Sequence, residues 1–197
     1  MSLKEFQSKH GLVADGLFGK NTARKIAEVY NIKHPAQFFG QVAHESGDFK
    51  LNEENLNYSA TRLLQVFPKY FNKTNVGQFA NKPIAIGNRV YGGRMGNTQP
   101  NDGYYFRGRG AIQLTGRSNY KAFENWLVKK KLVKENEIML NPDLVWRKFY
   151  VESAIFFFET NNLWNITDVT TLTKRINGGV NGLADRVART NKYKSWF

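Results

Sequence analysis

Apolar residues recur along this chain at the three- and four-residue spacing of helix faces, in short segments cut by Gly, Asn and Pro. That pattern admits many short helices and leaves little room for a sheet. Residues 3–9 and 20–30 read as two helices around the turn Ala14-Asp15-Gly16. Pro35, at a first helical position, opens a segment with Phe38, Phe39, Val42 and Ala43 on one side, and Gly47 closes it. Ser59 is a cap for residues 60–66, which Pro68 ends. Residues 81–110, rich in Gly, Asn and Arg, read as surface loops. Ser118 caps a helix carrying Tyr120, Phe123, Trp126 and Leu127, and Asn141-Pro142 opens the longest helix. Thr167 or Asp168 begins another, stopped by Gly178-Gly179, and residues 183–194 form the last. The predicted class is all-α, with at most a small β-hairpin near residues 104–115, and no internal repeat or linker interrupts it.

The chain has 197 residues, 41% of them hydrophobic, which is enough for a core and argues against disorder. That length suits one domain, or one domain with a small appendage. The longest apolar run, Ala154–Phe158, is far below the roughly 18–20 residues of a membrane span. The opening Met-Ser-Leu-Lys-Glu-Phe is amphipathic and lacks the apolar centre of a secretory signal. Cysteine is absent, which removes disulfides, thiolate nucleophiles and Cys-held metals, and points to folding in a reducing cytoplasm. With 29 Lys+Arg against 16 Asp+Glu the formal charge is +13, so a polyanionic partner is expected. The basic residues are scattered apart from Lys129–Lys131, and no nucleic-acid motif accompanies them. The expectation is therefore no nucleic acid and no stable membrane insertion, only electrostatic contact with an anionic envelope.

His44-Glu45 resembles the start of a zinc-protease helix, but Asp48 stands where the second His belongs, so no metal or other cofactor is expected. No Gly-x-Ser-x-Gly elbow supports a serine nucleophile. Glu45 is more informative. It falls in the last turn of the 35–46 helix, where the negative end of the helix dipole disfavours a carboxylate and Phe38 and Val42 would add desolvation. A carboxyl that keeps its proton is what a general acid requires. Taken alone, Glu45 is more simply a helix-end glutamate paired with one of 29 basic residues.

Glu53 and Glu54 lie among Asn side chains in an expected solvent-accessible loop, where a carboxylate stays ionised. Two carboxyls in opposite surroundings form the pattern of a glycosidase acid and base. The nine residues from Glu45 to Glu54 are enough chain to place them across a cleft. A gap of about 6.5–9.5 Å there would mean inversion, and about 5–5.5 Å retention. If residues 111–115 are extended, Ile112 and Leu114 point one way, and Gln113 and Thr115 the other. The amide and hydroxyl would then stand side by side, suited to orienting a water and a sugar substituent. A simple hairpin strand accounts for Ile112 and Leu114 but not for the density of Gly and Arg around them. Glu152, inside the long aromatic helix that Asn141-Pro142 opens, reads as a buried ion-pair partner.

Four pieces in order resemble glycoside hydrolase family 19, the class I chitinase-like family, in the short form of bacteriophage endolysins. They are Ala43-His-Glu-Ser-Gly47, Glu54-Asn-Leu-Asn-Tyr-Ser59, Arg107-Gly-Arg-Gly-Ala-Ile-Gln-Leu-Thr115 with Asn119-Tyr120, and Ile176-Asn-Gly-Gly179 followed by Asp185-Arg186. The resemblance implies a lysozyme-like, two-lobed all-α fold around a central cleft, and inversion of the anomeric centre. It implies that Glu45 protonates the glycosidic oxygen, that Glu54 activates a water, and that Thr115 helps hold that water. Gln113, Asn119, Tyr120 and Asn177 take substrate-contacting positions, and His44 and Arg186 support the acid. The family's plant members have a long disulfide-bearing insertion between acid and base, absent here. They also carry a Glu where this chain has Asn181, so Arg186 would face Glu45 with less competition.

Phe6–Thr22 also resembles half of a peptidoglycan-binding module, although two ordinary helices and a turn explain it as well. The expected organisation is a helical segment at residues 1–30 packed on a catalytic domain at residues 31–197. The resemblance allows chitin or peptidoglycan as substrate. The charge, the wall-binding-like start and the missing signal and Cys favour peptidoglycan glycan strands. The chain is thus expected to be a monomeric phage lysis enzyme, made in the host cytoplasm and released to the wall through a holin pore. An endochitinase, a lytic transglycosylase and a non-catalytic wall-binding module are the competing readings.

Overall fold

The computed structural model describes residues 2–197, so the first residue of the expected 1–30 segment lies outside the described residues. Cap and breaker signals set most helix ends. Ser2 and Glu5 form a reciprocal capping box at the start of α1 (Leu3–Lys9). After α2 (Lys20–Val29), Pro35 occupies the first position of α3 (Pro35–Glu45). Ser59 caps α4 (Ala60–Val66), its hydroxyl accepting from the Arg62 amide. There follow α5 (Val76–Phe79), α6 (Pro83–Tyr91), α7 (Asp102–Tyr105), α8 (Arg117–Lys129) and α9 (Glu137–Leu140). The chain ends with α10 (Leu144–Arg147), α11 (Tyr150–Thr160), α12 (Val169–Asn177) and α13 (Leu183–Lys194). Asp168 caps α12 through the Thr171 amide, and Gly178 ends it in the left-handed conformation. The fold is all-α. Pairing between strands is confined, among the described residues, to isolated bridges of Arg109 with Glu53 and with Leu114.

By its contacts the chain forms two compact units. One holds residues 2–52, 110–112 and 145–197; the other holds 53–109 and 113–144. Residues 2–30 fall in the same unit as 31–52, so this division does not run at residue 30. In the first unit, Gln7 is buried and ties the 14–17 turn, donating to Asp15 and the Leu17 carbonyl while accepting from the Gly16 amide. Phe18 stacks on Phe49 at 3.6 Å, and Phe38 packs edge-on against Phe158. The first pair holds the turn between α1 and α2 against the body of that unit, and the second joins α3 to α11. The second unit holds a core cluster of Leu56, Leu63, Phe71, Ile86 and Val90, and Phe106, Phe123 and Leu127 are also buried in that unit.

Four expectations are corrected. Residues 81–110 hold two helices, α6 and α7, because their glycines serve packing: a side chain at Gly87 would meet Tyr104 Cα at 2.9 Å. Gly116, not Ser118, precedes α8, which at 13 residues is the longest helix. The helix expected from residue 142 breaks at Phe149, whose φ/ψ of −125°/35° is non-helical although neither Gly nor Pro marks the place. Residues 111–115 are not an extended strand: Gln113 has φ +53° and the chain turns there.

Candidate active site

In the first unit, the end of α3 is positioned by α13. Gly40 lies so close that a Cβ there would reach Thr190 Cα and N at 3.0 Å. That approach brings Arg186, only 2% exposed, onto the end of α3. Its Nη2 donates to Glu45 Oε1 at 2.5 Å and its Nη1 to Gln41 Oε1 at 2.6 Å. The Asn181 carbonyl takes a third bond from Nε at 3.3 Å. Glu45 keeps a quarter of its side chain exposed, so its carboxyl group stands at the surface against a cation that is itself buried.

His44 Nδ1 lies 2.6 Å from Asp185 Oδ2, which also accepts from Arg189 Nε at 2.6 Å. Burial pushes the Asp185 carboxyl up, but the hydrogen bonds from Arg189 and His44 prevail and hold it low. Arg189 continues to Asp48. Asn177, half-buried, shapes the turn after α12: its Nδ2 donates to the Asn181 carbonyl and its Oδ1 accepts from the Gly179 amide.

In the second unit, Glu53 and Glu54 part ways. Glu53 is held by Arg107 at 2.5 Å and by Arg109 at 3.5 Å. Glu54 turns to Tyr91 on α6, whose hydroxyl donates to Oε1 at 2.7 Å. Oε2 is buried and has no hydrogen-bond partner. The Glu54 amide donates to the Gly108 carbonyl at 2.8 Å, which fixes its backbone beside the 107–109 segment. A Cβ on Gly108 would meet Gln113 Oε1 at 2.9 Å, and Glu54 Cβ and Thr115 Oγ1 at 3.4 Å. Glu54, Gln113 and Thr115 therefore converge on one glycine.

Burial pushes the Glu54 carboxyl above the usual carboxylate range, against the opposing pull of the Tyr91 hydroxyl, Gly108 and the Arg107 charge. Tyr91 is pushed up in turn by burial and the neighbouring carboxylate. The expectation of a freely solvated Glu54 is thus corrected: α6, read as loop in the sequence, partly covers it. The cation stands at Glu45 and the desolvation at Glu54.

Thr115 Oγ1 donates to the Gln113 carbonyl at 2.8 Å, leaving its lone pairs to accept. Asn119 is exposed and braces this turn, donating to the Thr115 carbonyl at 2.7 Å. Tyr120 is corrected. It is 0% exposed, donates to the Arg107 carbonyl at 2.7 Å and accepts from Arg109 at 3.1 Å. A fully buried ring cannot line a saccharide groove, and here it supports the 107–109 segment from beneath.

Sequence reasoning missed Tyr91 and Gln41. Gln41 left a signal, as a polar residue within the apolar face of 36–43. Tyr91 left none beyond its place in a Gly- and Arg-rich run. Among the described residues no group of three or more His, Asp or Glu is placed to hold a metal ion. No helix of the described residues is long and apolar enough to cross a membrane.

No family model matches the chain. A Haemophilus influenzae (strain ATCC 51907 / DSM 11121 / KW20 / Rd) protein described as "Glycosyl hydrolase family 19 domain-containing protein" is 39% identical over 159 residues, 79% of this chain and 76% of that one. Among solved structures, chitinase C from Streptomyces griseus HUT6037 has a similar fold, with a TM-score of 0.50 at 18% identity. That likeness covers 86% of this chain and 74% of the chitinase chain.

Proposed function

Because this chain belongs to glycosyl hydrolase family 19, we propose that it hydrolyses the β-1,4 links of peptidoglycan glycan strands with inversion, Glu45 acting as general acid and Glu54 as general base. The observation that carries the proposal is the state of Glu54. One oxygen is anchored by Tyr91 and the other is buried without a partner, with the Thr115 hydroxyl and Gln113 amide converging on the same glycine.

In the proposed reaction Oε2 of Glu54 accepts a proton from a water whose oxygen attacks the anomeric carbon. The Thr115 hydroxyl, its own hydrogen committed to the Gln113 carbonyl, accepts the water's other hydrogen. The glycosidic C–O bond breaks as Glu45 gives its proton to the leaving oxygen. Arg186 then faces the carboxylate so formed, which stabilises it as the charge appears. A charge of +13 favours a polymer bearing lactyl-peptide carboxylates over neutral chitin. Chitin, named by the solved relative's title, offers the same linkage and is the second reading. Within the first reading the biological role is phage-borne lysis, the enzyme reaching the wall through a holin lesion. Inducing the chain in a Gram-negative host with and without a co-expressed holin tests that role, and lysis is expected only with it.

Digestion of purified sacculi, borohydride reduction and mass spectrometry of the soluble fragments test the chemistry. The wild type is expected to release reduced muropeptides, and Glu45→Gln and Glu54→Gln to release at least about a hundredfold less, since a general acid or base contributes roughly 10²–10⁴. Full release by Glu45→Gln would sink the proposal. Release by Glu54→Gln with anhydro ends would make the enzyme a transglycosylase. Chito-oligomers from chitin with nothing from sacculi would transfer the substrate.

A further inference from the structure

Arg94 stands three residues after Tyr91, the side chain that anchors Glu54, and all three lie in the second unit. The loop carrying it after α6 is fixed on two sides. Buried Asn97 donates from Nδ2 to the Tyr91 carbonyl at 3.0 Å, and its Oδ1 accepts from the Arg117 amide at 2.8 Å. The Met95 carbonyl accepts from the Ser118 amide at 3.0 Å, and a Cβ on Gly116 would meet Met95 Cβ at 2.4 Å. Gly116 directly follows Thr115, so the loop spans from the anchor of Glu54 to the turn that bears Thr115.

The Arg94 side chain is exposed yet held. Its Nη1 donates to the Tyr70 hydroxyl and, at 3.2 Å, to the Val90 carbonyl, and its guanidinium stands 5.9 Å from the centre of the Tyr70 ring. Among the described residues its Nε and Nη2 donate to nothing and no carboxylate pairs with it. Arg107 and Arg117 of the same unit differ, being met by Glu53 and Asp102. The Arg94 charge reaches Tyr91, where it opposes the upward push of burial and Glu54 on the phenol. A guanidinium oriented in advance and lacking an acid of its own is a receptor for one, because its planar fork matches a carboxylate through two parallel hydrogen bonds. The restraint from Tyr70 also lowers the cost of ordering the side chain on binding.

Peptidoglycan and chitin share the linkage, but only peptidoglycan hangs free carboxylates from its strand, on the stem peptides attached through the lactyl groups. Resting on the peptidoglycan reading above, we propose that Arg94 determines specificity for the anionic strand, its Nε–Nη2 edge receiving a stem-peptide carboxylate while the strand lies beside Glu54. The test is calorimetric titration of the full chain carrying Glu45→Gln, which halts turnover and lies outside the second unit. The probes are a peptidoglycan tetrasaccharide bearing its stem peptides, the same compound with its carboxylates amidated, and tetra-N-acetylchitotetraose. Arg89→Gln, which removes an equal charge from the exposed surface of α6, controls for long-range attraction.

The anionic tetrasaccharide is expected to bind more tightly than either of the other two. Arg94→Gln should weaken it by roughly tenfold, the scale of a lost hydrogen bond to a charged group, and weaken the others by less than about threefold. Arg89→Gln should weaken all three only slightly and alike. Arg94→Lys keeps the charge but loses the fork, so it should weaken the anionic probe by a smaller factor, and it serves if Arg94→Gln does not fold. Equal weakening of all three probes by Arg94→Gln, an equal loss in Arg89→Gln, or no preference for the anionic probe before either change would each overturn the proposal. A wild type inactive on sacculi would instead defeat the proposed reaction and leave this binding comparison standing.

Discussion

Tyr91 donates to Glu54 at 2.7 Å, and that bond favours the ionised carboxylate. Removing it leaves only Gly108 and the Arg107 charge acting against burial, so Tyr91→Phe should raise the pH at which Glu54 ionises. If Glu54 is the base, the acid limb of a pH–rate profile on sacculi moves to higher pH, by roughly one unit for a lost bond to a charged group. The rate on the alkaline plateau changes far less. An unmoved acid limb would detach Tyr91 from the base.

Glu54 also bears on stability. Its folded-state pKa is raised above the unfolded one, so its favourable contribution is complete below the unfolded pKa and is lost as pH rises through the folded pKa. Glu54→Gln removes a carboxylate that is costly to bury at neutral pH and changes little in acid. Calorimetry at pH 7 should show a Tm rise on the order of 2–4 °C, shrinking towards zero near pH 4. Lower stability of Glu54→Gln at pH 7 would contradict the burial argument.

At the level of helices, the contact between α3 and α13 aligns Arg186 with Glu45, and Gly40 permits it. Helix propensity alone says that Gly40→Ala stabilises by about 1 kcal/mol. Overpacking against Thr190 says the opposite, at about 1–3 kcal/mol. The overpacking should win, because the new Cβ would overlap Thr190 Oγ1, a fully buried side chain with little room to move, and would press on Thr190 Cα and N at 3.0 Å. Gly40→Ala is therefore expected to lower Tm by several degrees and to depress the rate, and adding Thr190→Gly should recover part of both. A stabilised Gly40→Ala would show that the two helices have room to separate.

Across the whole molecule, a charge of +13 is the dominant long-range term. Attraction to an anionic wall should weaken as the Debye length falls from about 10 Å at 0.1 M to about 3 Å at 1 M salt. The rate on sacculi should therefore drop several-fold over that range, while turnover of a short neutral oligosaccharide holds nearly constant. Equal salt sensitivity on both substrates would point to a folding effect instead.

What could be read from the chain alone was whatever is written within a few residues. Pro35, Ser59, Asp168 and Gly178 act on the backbone beside them, so their helix ends were legible, and so was the all-α class. The motif residues Glu45, Glu54, Gln113 and Thr115 were found as contiguous strings, and Arg186 was correctly directed at Glu45.

Environment was not legible. Gln41 meets Arg186 across 145 residues of chain, and Tyr91 meets Glu54 across 37. The burial of Tyr120, the break at Phe149 and the helices hidden among the glycines of 81–110 likewise come from packing between distant segments. A side chain's type is local. Its solvation and charge partners depend on which remote surfaces close over it, and only the folded chain brings those surfaces together.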